Sequence, residues 1–245
     1  MGDSSSTTGK PVALITGANR GIGLGLAQRW AHDGWQVIAT AREPQSAEGL
    51  WSLKQDFPDL QIEQLDLGDS SSIAALVSTL AERPIDMLIN NAGIFGRFPL
   101  VENISTQRFG TLDYEVWAEV MRVNCFGTVE LTEALMPAIE ASERKTVITL
   151  SSAAGSIGGH QAPAIPYTSS KTALNKAMTT IARTVKDRGV LVAIVCPGHV
   201  RTRLGLGGGE IEVDESVSGL ATLIGSFTIE DSGTFRRYNG DHLVW

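Results

Sequence analysis

Tyr167 and Lys171 stand four residues apart in the run Tyr167-Thr168-Ser169-Ser170-Lys171. On a helix that spacing puts both side chains on one face, roughly 6 Å apart at Cβ. A tyrosine ordinarily titrates near pH ~10 and is a poor base at neutrality. A neighbouring ammonium favours the phenolate, so the pair can pass a proton to or from an oxygen. Such a pair on an isolated helix would more often be two surface residues, so the surroundings decide. Upstream stand Ser151 and Ser152; a hydrolytic serine would need a G-x-S-x-G elbow, and none surrounds them. The second candidate is Thr16-Gly17-Ala18-Asn19-Arg20-Gly21-Ile22-Gly23. Its glycines let the backbone turn tightly against a pyrophosphate, which free N–H groups and the positive end of a helix would meet. Glycine turns also occur merely to close a strand and helix.

The elements that must position these groups alternate along the chain. Short apolar runs at 12–16, 36–41, 61–65, 85–90, 146–150 and 190–195 read as strands. Several are apolar on both faces, as parallel strands covered by helices on both sides are. Segments of helical length lie between them at 22–32, 45–55, 70–82, 114–139 and 166–186. Asp69, Ser70 or Ser71 can cap the third of these and Asp113 the fourth. A repeated βαβ series selects an α/β fold with a doubly wound, mostly parallel sheet. The glycine turn then follows the first strand and opens the first helix, the context that favours dinucleotide binding.

The chain has 245 residues, 42% hydrophobic and 19% charged, which excludes a disordered or collagen-like polymer. No linker-like composition shift interrupts it, so one domain over residues 11–245 is expected behind a loose, polar tail at 1–10. The net charge of −7, without a basic run, disfavours nucleic acid. No stretch of eighteen apolar residues spans a membrane and no apolar leader opens the chain, so a cytoplasmic protein is expected. Cys125 and Cys196 lack CxxC spacing and read as reduced, packed thiols. The four histidines show no metal-ligand spacing, and no metal is expected; His160 and His199 can border a pocket.

Further motifs fall in order. Asn90-Asn91-Ala92-Gly93 closes the fourth strand, and Asn124 lies in the long helix that follows. Ser151-Ser152 ends the fifth strand, the Tyr167 to Lys171 run opens the next helix, and Pro197-Gly198 ends the sixth strand. With TGxxxGxG, this set resembles the short-chain dehydrogenase/reductase family over residues 11–245. Cys196-Pro-Gly-His-Val-Arg-Thr202, the segment from Glu215 to Leu220 and the ending from Asp231 to Trp245 resemble its C-factor and sniffer-type carbonyl reductase branch.

The resemblance implies a single-domain Rossmann fold with a seven-stranded sheet and an oxidoreductase that moves hydride between a nicotinamide and a carbonyl or alcohol. It makes Tyr167 the proton donor or acceptor, and Lys171, with the oxidised nicotinamide, the aid to its ionisation. Ser152 orients the substrate oxygen, and Asn124 belongs to a water-mediated relay behind Lys171. Members described as signalling proteins keep a cofactor-binding sensor with incidental turnover as the alternative.

Dinucleotide folds select NAD with an acid after the second strand and NADP with a cation. Here Arg42 follows that strand, Glu43 comes one residue late, and Arg20 stands in the glycine turn, so NADP (NADPH) is expected. The implied cofactor contacts are Gly17, Asn19, Arg20, Gly21, Ile22 and Gly23 in the turn, with Arg42 at the ribose. Asp66 and Leu67 frame the adenine, and Asn91, Ala92 and Gly93 lie beside the ribose. Tyr167 and Lys171 join them, and Pro197, Gly198, Val200 and Thr202 cover the nicotinamide. Asp66 can instead be a strand-end cap. The substrate pocket falls to 94–112, 155–165 and 203–213, where Phe95, Phe98, Phe109, Ile157 and Leu204 can line it or merely pack the loops. The partner is a small carbonyl or alcohol, and the family's pairing of its two long helices implies a homodimer or homotetramer. The stretch from Ser152 to Tyr167 is too short for the extra helix of monomeric carbonyl reductases.

Overall fold

The computed structural model describes residues 9–81, 83–159, 162–205 and 208–245. Most of the polar tail, the last residue of the expected 70–82 helix, and His160 lie outside them. Seven strands form one sheet: β1 Val12–Ile15, β2 Gln36–Ala41, β3 Gln61–Gln64, β4 Met87–Asn90, β5 Thr146–Leu150, β6 Leu191–Cys196 and β7 Phe235–Arg237. Their order is β3-β2-β1-β4-β5-β6-β7, and every pairing is parallel. This is the expected Rossmann fold, a doubly wound α/β sheet.

The helices are α1 Gly21–His32, α2 Glu48–Asp56, α3 Ser70–Leu80, α4 Leu100–Asn103, α5 Tyr114–Met121, α6 Thr128–Glu140, α7 Ile165–Val185 and α8 Val213–Ser226. The strand period of two splits the core between the sheet's faces. Ala13 and Ile15 of β1 pack with Leu26 and Trp30 of α1, Leu50 of α2 and Leu220 of α8. Val12 and Leu14 face the other way, onto Leu76 of α3, Leu131 and Leu135 of α6, and Leu174 and Met178 of α7. Burial on both sides explains the unbroken apolar runs of β1 and β6.

Asp69 caps α3, accepting from the Ser71 N–H, and Asp113 caps α5, accepting from Glu115 and Val116. The expected helix over 114–139 differs from the structure. α5 and α6 are separated by a π-helical turn, Arg122–Gly127, that inserts an extra residue and carries Asn124. The helix expected over 45–55 starts later, because Pro44–Ser46 first form a 3₁₀ turn. α8 and β7 are elements that the apolar runs did not mark.

Candidate active site

The winding of the sheet reverses between β1 and β4, and in open α/β sheets ligands bind at that point, beyond the carboxyl ends of the strands. Two loops meet there. The Thr16 hydroxyl accepts from the Asn91 and Ala92 N–H groups at 3.0 and 2.9 Å. The Asn91 side-chain amide donates to the Thr16 and Gly17 carbonyls at 2.8 and 3.0 Å. Gly17 has φ +63° and lies so close to Ala92 that a Cβ would sit 2.9 Å from its Cα. A Cβ on Gly23 would fall 2.4 Å from the Gly17 carbonyl oxygen. The 12-residue α1 starts at Gly21 with no side-chain cap and no acid in its first turn. Its first N–H groups therefore lack a side-chain acceptor beside a close-packed glycine turn, an arrangement that fits a pyrophosphate.

Arg20 and Arg42 flank this turn, both exposed. Burial, and after it the charges of Arg203 and Arg42, hold the Arg20 guanidinium below its ordinary value. The two arginines singled out for cofactor choice therefore share one electrostatic neighbourhood, and a third has joined them from the loop after β6.

At the ends of β5 and β6 the other candidates converge. Ser152 stands in extended conformation just past β5, its hydroxyl accepting from the Ala154 N–H at 3.2 Å. The buried Cys196 thiol accepts from the Ala153 N–H at 3.2 Å and ties this turn to β6. Tyr167 lies in the first turn of α7, and the Phe95 ring stacks on it at 4.7 Å between centroids. Burial pushes its phenol up to about 12, while a polar contact from the Ser152 hydroxyl pulls the other way. Lys171, one turn on, is only 4% exposed, and its ammonium donates to the Leu150 carbonyl at 3.0 Å. Burial lowers its pKa to about 8, against weaker opposing effects of Cys196 and Cys125. The expected pull of Lys171 toward the phenolate does not show at the phenol, where burial dominates and favours the neutral form that a proton donor needs.

Asn124 is fully buried in the π turn. Its side chain accepts from the Ile94 N–H and donates to the Ile94 carbonyl, both at 2.8 Å, and donates to the Ser170 hydroxyl at 3.0 Å. A Cβ on Gly93 would lie 3.2 Å from the Asn124 oxygen and 3.6 Å from the Lys171 nitrogen, so these two side chains meet behind that glycine.

The remaining expected contacts rim the same edge. Asp66 caps its own turn, accepting from the Gly68 N–H at 2.8 Å. Leu67 is buried in the core, which leaves only its backbone for a ligand. The Pro197 carbonyl accepts from the buried Ser216 hydroxyl at 2.7 Å, and Gly198 has φ +88°. Val200 is buried and bridges Ile211, while the Thr202 methyl lies 3.6 Å from where a Cβ on Gly21 would project. Asn19 and Ile22 sit half-buried in the glycine turn. Of the five pocket candidates, Phe95 packs on Tyr167, Phe98 lies under Arg203 and Leu204 is half-buried, while Phe109 and Ile157 are 91% and 77% exposed. The anchoring roles of Thr16, Ser170 and Cys196 were not apparent from the sequence; the one signal is that each adjoins a motif already noted.

A fully parallel sheet with a close-packed glycine turn at its switch point defines a Rossmann-type α/β protein, and Ser152, Tyr167 and Lys171 gather beyond the end of β5. Residues 11–206 match the family model described as short chain dehydrogenase. The chain belongs to the short-chain dehydrogenase/reductase family. An uncharacterized oxidoreductase of Schizosaccharomyces pombe is 34% identical over 204 residues, 80% of this chain and 76% of that relative. The carbonyl reductase Sniffer of D. melanogaster superposes with a TM-score of 0.84 at 25% identity, over 97% of this chain and 100% of that one. A carbonyl reductase from Pseudomonas aeruginosa PAO1, solved in complex with NADP, gives a TM-score of 0.80 at 31% identity over 97% and 100%. No helix among the described residues is long and apolar enough to cross a membrane.

Proposed function

We propose that the protein is an NADPH-dependent reductase of ketones or aldehydes, reversible in principle, with its machinery in one catalytic domain over residues 11–245. The observation that carries this reading is the placement of Ser152, Tyr167 and a buried Lys171 on adjoining elements at the open edge of the glycine-turn crevice. A protein that only sensed its cofactor would have no use for a proton donor there. NADPH bound in the crevice would supply hydride to the carbonyl carbon. The glycine turn, Asn91 to Gly93 and the backbone of Leu67 hold the dinucleotide, and Arg20 and Arg42 receive its 2′-phosphate.

Tyr167 gives its phenolic proton to the carbonyl oxygen as that oxygen gains charge. A phenol held up to about 12 is fully protonated at neutral pH, so the donor form is always present. Ser152 donates to the same oxygen and stabilises the developing charge. Lys171 stabilises the phenolate left behind, and Asn124, through the Ile94 backbone and Ser170, keeps the floor behind Lys171 in place. Phe95 packs the Tyr167 ring and presents an apolar wall to the substrate. Tyr114 and Phe126, exposed on α5 and the π turn, favour pairing of this face with a second copy. NADPH oxidation followed at 340 nm against a broad set of aldehydes, ketones and quinones tests the reading, and absence of turnover across the whole set would refute it.

A further inference from the structure

Arg20, Arg42 and Arg203 come to the glycine turn from three elements: the turn before α1, the end of β2, whose Thr40 carbonyl accepts from the Ala18 N–H at 2.8 Å, and the loop after β6; the charges of Arg42 and Arg203 are both felt at Arg20. The loop lies on the glycine turn, since the Thr202 methyl is 3.6 Å from where a Cβ on Gly21 would project. The Arg203 guanidinium rests over the Phe98 ring, 4.3 Å from its centroid, a contact that fixes the group without neutralising it. Among the described residues, none of the three makes a salt bridge or donates a side-chain hydrogen bond, whereas Arg201, two positions before Arg203, pairs with Glu212. Arg29, Arg97, Arg122, Arg188 and Arg236 also have carboxylate partners. In a chain with 27 acids against 20 basic residues, three gathered arginines without a carboxylate oppose the overall charge. Like charges this close repel one another, and a dianion placed among them relieves the repulsion. The planar fork of a guanidinium matches phosphate oxygens in geometry as well as charge.

We propose that Arg203 is the third arginine of the socket for the 2′-phosphate of NADPH, delivered by the start of the loop after β6 to the group that distinguishes NADPH from NADH. The inference rests on the NADPH reading above and adds a specificity-determining residue delivered from a different part of the chain. It also joins cofactor choice to the substrate side. Arg203 and Phe98 belong to the two loops assigned to the pocket, so the guanidinium that meets the phosphate also packs on a pocket side chain.

Binding, rather than turnover, tests this: NADPH and NADH are titrated separately by the change in their fluorescence, on the full chain and on variants. Arg203→Ala should weaken NADPH by about 10-fold, equivalent to ~1.4 kcal/mol, and leave NADH within about 2-fold. Arg203→Lys keeps the charge but not the planar fork and should recover part of the NADPH affinity while leaving NADH unchanged; weakening of NADH by either variant would place the effect in the packing on Phe98 and overturn the phosphate contact. Equal weakening of NADPH and NADH, or no weakening of either, would also overturn it. Should the unmodified protein bind NADPH no better than NADH, the reading of the cofactor itself fails. A wild-type preference that survives Arg203→Ala removes Arg203 alone.

Discussion

Lys171→Met should make the protein more stable while it stops the reaction. The side chain is 4% exposed, and burial brings its pKa from 10.5 down to about 8. Each pH decade of such a difference is worth ~1.4 kcal/mol, so carrying the ammonium at neutral pH costs about 3 kcal/mol of folding free energy. Methionine fills nearly the same volume without the charge. It forfeits the hydrogen bond to the Leu150 carbonyl, worth ~1 kcal/mol, for a net gain of about 2 kcal/mol at pH 7. Between pH 8 and 10.5 the unfolded lysine holds its proton and the folded one does not. Stability of the unmodified protein therefore rises with pH across that window, relative to the variant. Below about 8 both states are protonated and the penalty is complete; above 10.5 both are neutral and it has gone. Urea denaturation of both proteins at intervals from pH 6.5 to 11 isolates Lys171, because the other titrating groups cancel in the difference. The wild-type stability minus that of Lys171→Met should grow by about 3 kcal/mol from the lower end to the upper. A pH-independent difference, or a variant less stable than wild type at pH 7, would refute the assignment of a desolvated ammonium.

Tyr167→Phe keeps the ring stacked on Phe95 but removes the proton donor, so reduction should fall by ~10²-fold or more, while NADPH affinity, measured by titration, barely changes. Arg42→Asp should erase at least ~10-fold of the preference for NADPH over NADH, read from the ratio of kcat/KM values, and adding Arg20→Ala should take it further. Light scattering at micromolar protein should give the mass of a dimer or tetramer, since α5 exposes Tyr114 and the π turn exposes Phe126; a monomer mass would contradict the pairing.

The sequence was most legible where both faces of a strand are buried. VALI, TVITL and LVAIVC are continuous apolar runs because helices cover them on each side. β7 carries only Phe-Arg-Arg at the sheet's edge, and three residues with one buried side chain leave no such trace. α8 hid for a different reason. Gly219 interrupts its helix-forming sequence, and it does so because Tyr238 approaches so closely that a Cβ would lie 2.5 Å from its ring. Tertiary contact chose that residue against local propensity. The π turn is likewise set by packing: a Cβ on Gly127 would fall 2.0 Å from the Leu67 carbonyl oxygen, and no periodicity in the sequence announces the extra residue. Among the site residues, positions were readable from ordered motifs, but electrostatics were not. The raised phenol and lowered ammonium follow from burial, which spacing along a helix does not reveal.

Several of the motif side chains act on backbone rather than on open space. Thr16 and Asn91 join the turns after β1 and β4, Asn124 holds Ile94, Cys196 holds Ala153, and Lys171 reaches the end of β5. Each of these bonds bridges more than twenty residues of chain, and all lie at the carboxyl edge of the sheet. The placement of Ser152, Tyr167 and Lys171 is therefore fixed by loops locked to the sheet and to each other. The segments carrying Phe109 and Ile157 share none of these bonds and stand largely in solvent. Residues there can vary in size and polarity without moving Tyr167, which on the proposed function would separate the choice of carbonyl from the chemistry done on it. Arg203 is the exception: it packs on Phe98 yet its charge is felt at Arg20 beside the glycine turn, so on the proposed function a change there would be felt in substrate preference and cofactor preference together.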